Sequence, residues 1–432
     1  MPSQADHLDE NSQSSNQEIA ELAALIDSEI ADEQLEAIEE VSQLIAREPI
    51  PDISLLSSIC KQEKTLRGIN RLILSDDDDG RQAACNLLFM LSMSQPERPF
   101  DNPCAAHVQN RAMIGNFPGL FQAFVVALDK GSIHTKNAAL NALMSISFDN
   151  AENCLRIAET PGMIQTLLEG LNIGSDESRD GASGVLCNIV YYNKEAAQLV
   201  LGLDNVLAIL KGLCISKDNW SNYLGVSVIE AFCHQEHVVP MLRQARAVDA
   251  LKEAMTAQDS SVLYSQTTRL AAMMALARLV DHRELPSMHM GKDVLVDATD
   301  ALRHSLNGEA WGTPSIVFLP IDCLKALANI SVCRDNRRCL IDAQVIQLYA
   351  RIFSKWISQA ERKYEVNHLE RAALKSHENC SKDTENHTSA SENTIGFDTE
   401  SLNGTVKHEE VELALAGLSN LSHDFQSRTV VA

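Results

Sequence analysis

Aromatic side chains are scarce in this chain of 432 residues: they make up 5% of it, against 45% hydrophobic residues in all. Sheets draw on aromatic and β-branched residues, so an apolar supply dominated by Leu, Ala and Ile points to helices. No run of eighteen or more apolar residues occurs, so no membrane-spanning helix is expected. The start, MPSQADHLDENSQSSNQ, has neither the basic opening nor the apolar stretch of a secretory leader. Its acidity also speaks against a mitochondrial presequence. CxxC pairs are missing. The eleven cysteines stand singly, as at Cys60, Cys85, Cys154, Cys187 and Cys214. The densest group, Cys323, Cys333 and Cys339, lacks zinc-site spacing. Buried reduced thiols acting as small hydrophobes are expected, in a reducing compartment, cytoplasm or nucleus.

A basic excess is missing too. The net charge is −23, and it is unevenly placed. Residues 1–48 hold thirteen acids against Arg47, a net −12; residues 361–412 hold twelve acids and six bases, a net −6. The stretch 49–360 is nearly neutral at −5. Nucleic acid, which needs a basic stripe, is not an expected partner. Another protein carrying a basic segment suits the charge better.

What the chain does have is self-similarity. A small-and-apolar segment ending in Leu-x-Asn-Leu/Ile and a polar turn reads GVLCNIVYYN at 184–193, KALANISVCRDN at 325–336 and AGLSNLSHD at 416–424. Variants without the asparagine are LLFMLSM (87–93), NALMSISFDN (141–150), IEAFCHQ (229–235) and LARLVDH (276–282). The marker position falls at Met90, Ser145, Asn188, Ala231, Arg278, Asn329 and Asn420, with spacings of 55, 43, 43, 47, 51 and 91. After the marker comes a short helical pattern (151–159, 194–201, 334–343). A break such as Thr160-Pro161-Gly162 follows, then a second amphipathic pattern (163–171, 204–213, 247–255).

These segments resemble the armadillo repeat, with its H1–H2–H3 unit and Leu-x-Asn-Leu close of H3, over roughly 50–360 and 409–424. The resemblance implies an all-α fold, a right-handed α-α superhelix (armadillo-type solenoid) of about seven repeats. It further implies a concave groove lined by the third helices. The expected organisation is a disordered acidic N-terminus (1–16), an acidic helical cap (17–48) and armadillo-like repeats (49–375). A disordered polar insertion (376–408), then the last third helix and C-terminus (409–432), complete it. The ending FQSRTVVA offers no polar cap, which makes the terminal face a candidate for self-association.

No catalytic constellation emerges, no cofactor is expected, and the chain reads as no enzyme. Asp77, Asp79 and Gly80 of SDDDDG sit at calcium-loop positions, but Asn86 stands where a bidentate Glu is needed. Cys233, His234 and His237 read as one buried thiol and two surface imidazoles rather than a zinc site. The resemblance assigns the H3 asparagines Asn188, Asn329 and Asn420 to a bound peptide backbone, through an amide that donates and accepts. Closing the following turn is the other reading. The tryptophan of importin-alpha-like receptors is replaced by Gly184, Lys325 and Ala416, so a nuclear-import receptor is not expected. Helical spacing adds Asn141, Phe148, Tyr191, Tyr192, His234, Arg278 and Lys325 as groove candidates, and Gly184 as room for a partner backbone. The expected function is a non-enzymatic protein-binding scaffold or adaptor. The alternatives are a chaperone-cofactor or nucleotide-exchange-factor solenoid gripping a folded domain, and a regulatory subunit of an enzyme complex.

Overall fold

The computed structural model describes residues 17–46, 53–93, 105–256, 263–309, 311, 318–360 and 406–422. These are helical throughout, with no strand among them. The expected disorder at 1–16, most of the insertion and the ending FQSRTVVA lie outside the described residues. Helix formation has already begun at His408, the last residue assigned to the insertion.

The helices are α1 (17–26), α2 (Ala31–Ala46), α3 (Ile53–Lys61), α4 (Glu63–Leu74) and α5 (Asp78–Ser92). Then come α6 (Ala105–Asn116), α7 (Leu120–Lys130), α8 (Ile133–Ser147), α9 (Ala151–Glu159), α10 (Met163–Ile173) and α11 (Asp176–Tyr192). They continue as α12 (Lys194–Leu201), α13 (Val206–Cys214), α14 (Asn219–Phe232), α15 (Val239–Gln244), α16 (Ala247–Thr256) and α17 (Leu263–Leu279). The last are α18 (Lys292–Ser305), α19 (Pro320–Ile330), α20 (Arg334–Asp342), α21 (345–360) and α22 (His408–Ser422). By packing, the chain falls into two units that part between Val280 and Asp281.

In unit one the helices stack in rows. Third helices pack as α5–α8–α11–α14–α17, second helices as α4–α7–α10–α13–α16, and first helices as α6–α9–α12. All of the sequence markers up to Arg278 lie on the third-helix row. A three-helix unit cannot bury its own apolar faces, and stacking in register is what closes the core. This is an armadillo-type α-solenoid. α2 packs on α5 and continues the core at the N-terminal end, burying Ala37, Ile38, Val41 and Ile45. In unit two, α18 packs on α19, and α19 and α20 pack on α22.

Local chemistry explains the corners. Five H1–H2 corners place a left-handed residue directly before the second helix: Gly119, Gly162, Asn205, Arg246 and Gln344, with φ between 60° and 81°. Before α4 the corner is extended instead, with Gln62 at φ −76°. The H2–H3 corner ends in a side-chain cap. Asp77, Ser132, Ser175 and Asp218 each accept a backbone N–H from the first turn of the following third helix.

The third helices α14 and α17 depart from the expected groove. Residues 221–233 and 267–277 are buried on every side, because GVSVIEAF and LAAMMALA carry no polar stripe. An open H3 face is therefore confined to α5, α8 and α11 within unit one. There Asn86, Asn141 and Phe148 are exposed, and Phe89, Met90, Asp180 and Asn188 half-buried.

Candidate functional site

The C-terminal ends of α8, α11 and α14 bring four rings into one row. Phe148 meets Tyr192 edge-on at 5.8 Å, Tyr192 meets Tyr191 at 4.9 Å, and Tyr191 meets the His234 ring at 4.4 Å. The side chains come from three successive units, so stacking in register, and not sequence proximity, assembles them. Phe148 is exposed at the end of α8 and marks where the row reaches solvent.

Charged groups hold both ends of the row. The buried Arg111 lies with its guanidinium 5.3 Å from the Phe148 ring centroid. It donates from Nε to Ser92 O at 3.0 Å and from Nη1 to Phe148 O at 2.8 Å. One cation thus satisfies carbonyls at the ends of two third helices, where the helix dipole is negative. Burial lowers its pKa. At the other end, His234 Nε2 lies 2.9 Å from Glu230 Oε1, which also accepts from Arg278 Nη1 at 2.7 Å. Burial alone would raise the Glu230 carboxyl, but His234 and Arg278 outweigh it and hold the group at about 2. Burial, with Asp149 beside it, raises the Tyr192 phenol.

Sequence spacing singled out Phe148, Tyr191, Tyr192, His234 and Arg278, and the fold unites them. It did not find Arg111 or Glu230. Glu230 left a usable signal: it is the sole charge in 221–233 and stands four residues before His234. Arg278 belongs to this network as a nearly buried ion-pair partner and not as a groove-facing cation.

The marker asparagine behaves in a way neither reading of it foresaw. Asn188 Nδ2 donates back to the preceding third helix, to Met144 O at 2.9 Å and Ser147 Oγ at 3.1 Å. In unit two Asn420 repeats the geometry, donating to Ala328 O at 2.9 Å and Ser331 Oγ at 3.0 Å. Both amide hydrogens are engaged, which leaves the carbonyl oxygen for any further contact. Gly184 also corrects its expectation. A Cβ there would meet Met144 Sδ at 2.6 Å, so the space serves the α8–α11 contact and not an incoming backbone. Asn141 is exposed on α8. Asn329 is half-buried on α19, and Lys325 pairs with Glu409 at 3.0 Å on the surface of unit two.

Among the described residues no group of three or more His, Cys, Asp and Glu could hold an ion. Asp77 caps α5 by accepting from Gly80 N at 3.1 Å. Cys233 is buried with its thiol on Ile229 O, and burial raises it. Cys60, Cys85, Cys154, Cys187, Cys214, Cys233, Cys333 and Cys339 carry free thiols, and burial pushes Cys60, Cys85, Cys154 and Cys187 up to about 12. No single helix among the described residues is long and apolar enough to cross a membrane.

No protein-family model and no curated protein matches this chain. Solved structures do. An engineered protein aligns over 96% of this chain and 91% of its own, with TM-score 0.51 and 14% identity. A designed armadillo repeat protein in complex with the peptide (KR)4 aligns over 60% of this chain and 99% of its own, at TM-score 0.48 and 18% identity. Armadillo repeat proteins computationally designed for modular peptide recognition align over 59% of this chain and 98% of theirs, at TM-score 0.47 and 18% identity. At 14% identity, the first alignment is a likeness of fold alone.

Proposed function

We propose that this armadillo-type solenoid is a non-enzymatic protein-binding scaffold that works in a reducing compartment. Its open H3 face on α5, α8 and α11 receives an extended segment of another protein. The observation that carries this reading is the exposed strip running from Asn86 and Asn141 to Phe148, ending on the ring row. Exposed amides offer both donors and acceptors to a peptide backbone, and aromatic rings held rigid by neighbours are the usual anchors of interfaces. Asp180 beside the strip and Asp149 at its aromatic end suit a partner with basic residues. The closed faces of α14 and α17 speak against a clamp that grips a folded domain with the whole H3 row.

The test is affinity capture with the wild-type chain and with Asn141→Ala/Phe148→Ala, followed by isotherms on any protein lost selectively by the variant. Truncating an anchoring aromatic should cost about 1–2 kcal/mol in affinity while the melting temperature holds. Identical captures and isotherms for the two chains would overturn the H3-face assignment.

A further inference from the structure

The opposite ends of the same third helices carry a second surface. The H2–H3 corners before α5, α8, α11 and α14 are tied one to the next by polar bonds. Asp78 Oδ1 accepts Ser132 N–H at 3.1 Å, and Asp78 O accepts the Thr135 hydroxyl at 3.3 Å. The Ser178 hydroxyl donates to Asn137 Oδ1 at 2.6 Å, and Arg179 Nη2 donates to Ser221 Oγ at 2.5 Å. Four corners therefore stand side by side in register. Each presents one exposed aliphatic side chain: Leu74, Ile173 and Ile215 at the end of the second helix and Ile133 in the first turn of the third, with Ile173 79% exposed. A lone exposed isoleucine is ordinary. One at each of four adjacent corners makes a stripe, and apolar stripes rimmed by polar groups mark interaction surfaces. Between the third and fourth corners lies an open cleft of about 620 Å³, lined among others by Asn172, Arg179, Asn205, Ile209 and Ser216.

The charge around the stripe is one-sided. Within 74–79, 129–134, 172–177 and 215–218 the exposed carboxylates are Asp76, Asp79, Asp129, Asp176, Glu177 and Asp218, against Lys130 and Lys217. We propose that this corner stripe binds an extended, positively charged segment of another protein, with an aliphatic side chain at every third residue and Lys or Arg between. Packed helices lie about 8–10 Å apart, which sets the distance from one corner to the next. A polyproline-II strand has three residues per turn and rises about 9 Å over them, so every third side chain points the same way at that spacing. Its aliphatic side chains meet the aliphatic corners, and its cations meet the carboxylates between them.

The probe is a fluorescein-labelled peptide of four Leu-Lys-Pro triplets, held extended by its prolines. It is titrated into the full chain at low salt, with isoleucine δ1-methyl NMR alongside. Saturable binding is expected, weakening at least tenfold as ionic strength rises past about 0.3 M. Methyl shifts should fall on Ile133, Ile173 and Ile215. Ile173→Ser with Ile215→Ser should keep the helical circular dichroism, because both side chains are exposed, and should lower affinity at least tenfold. Asn141→Ala/Phe148→Ala should leave it unchanged. Three results would overturn the stripe: no binding, equal binding of an isomer with leucine at every second position, or full affinity in the serine variant. Affinity lost through Asn141→Ala/Phe148→Ala instead would put the probe on the H3 face, sinking the corner assignment while leaving the scaffold reading intact.

Discussion

A carboxylate enclosed on α14 keeps its charge because two other groups meet it, and that makes Glu230 the most pH-exposed residue of the site. Its folded pKa of about 2 lies below the 4.5 of an unperturbed glutamate. A depressed carboxyl contributes stability that is complete above the unfolded value and is lost as pH falls through the folded one. Between about pH 5 and pH 2 the chain should lose on the order of 3 kcal/mol from this group alone. Glu230→Gln should remove that share of the slope. It should also lower stability at neutral pH by about 1–3 kcal/mol, since His234 and Arg278 would lose the carboxylate that they share. Denaturant midpoints measured across that range on both chains check this, and equal slopes would show that Glu230 is not the titrating group. The residue types here were readable from spacing, as Tyr191, His234 and Arg278 show. Their partners were not, because the pairing of Glu230 with Arg278 spans 48 residues and two helices.

At the scale of the element, periodicity gave the helices and the Thr160-Pro161-Gly162 break gave one of the corners. The first turn after Thr160-Pro161-Gly162 begins α10, and Pro118-Gly119 precedes α7 in the same way. The corresponding corners at Asn205, Arg246 and Gln344 were invisible to that rule, since nothing about arginine or glutamine announces a left-handed backbone. Non-glycine residues at such angles cost roughly 1 kcal/mol. Gln344→Gly should therefore raise stability by about 0.5 kcal/mol at most, after allowing for glycine's greater freedom in the unfolded chain. Arg246→Gly should gain less, because Arg246 Nε also holds Asp249 Oδ2 at 2.8 Å on the surface. A fall in melting temperature for Gln344→Gly would mean that its φ of 68° carries no strain worth relieving. The closure of α14 and α17 was readable in principle, as helices with no polar stripe are buried all round. The marker spacing alone suggested an open groove there instead.

For the molecule as a whole, the twin asparagine clamps offer a way to ask how far a local change travels. Asn188 on α11 and Asn420 on α22 make the same two bonds, each to a carbonyl and a serine hydroxyl on the preceding third helix. One lies in unit one and the other in unit two. In a solenoid, stability is a sum of repeat terms and nearest-neighbour interfaces, so removing a clamp weakens one interface and leaves distant ones alone. Asn188→Ala leaves Met144 O and Ser147 Oγ without that partner, and should cost about 1–2 kcal/mol in the opening of α8 and α11. Asn420→Ala should cost about as much in α19 and α22. Native-state hydrogen exchange on the full chain reads both outcomes, because each amide reports the opening of its own cooperative segment. Protection should fall around α8–α11 in the first variant and around α19–α22 in the second, each leaving the other region at its wild-type rate. A uniform loss across both units in either variant would mean that the chain opens as one cooperative body, against additive repeats.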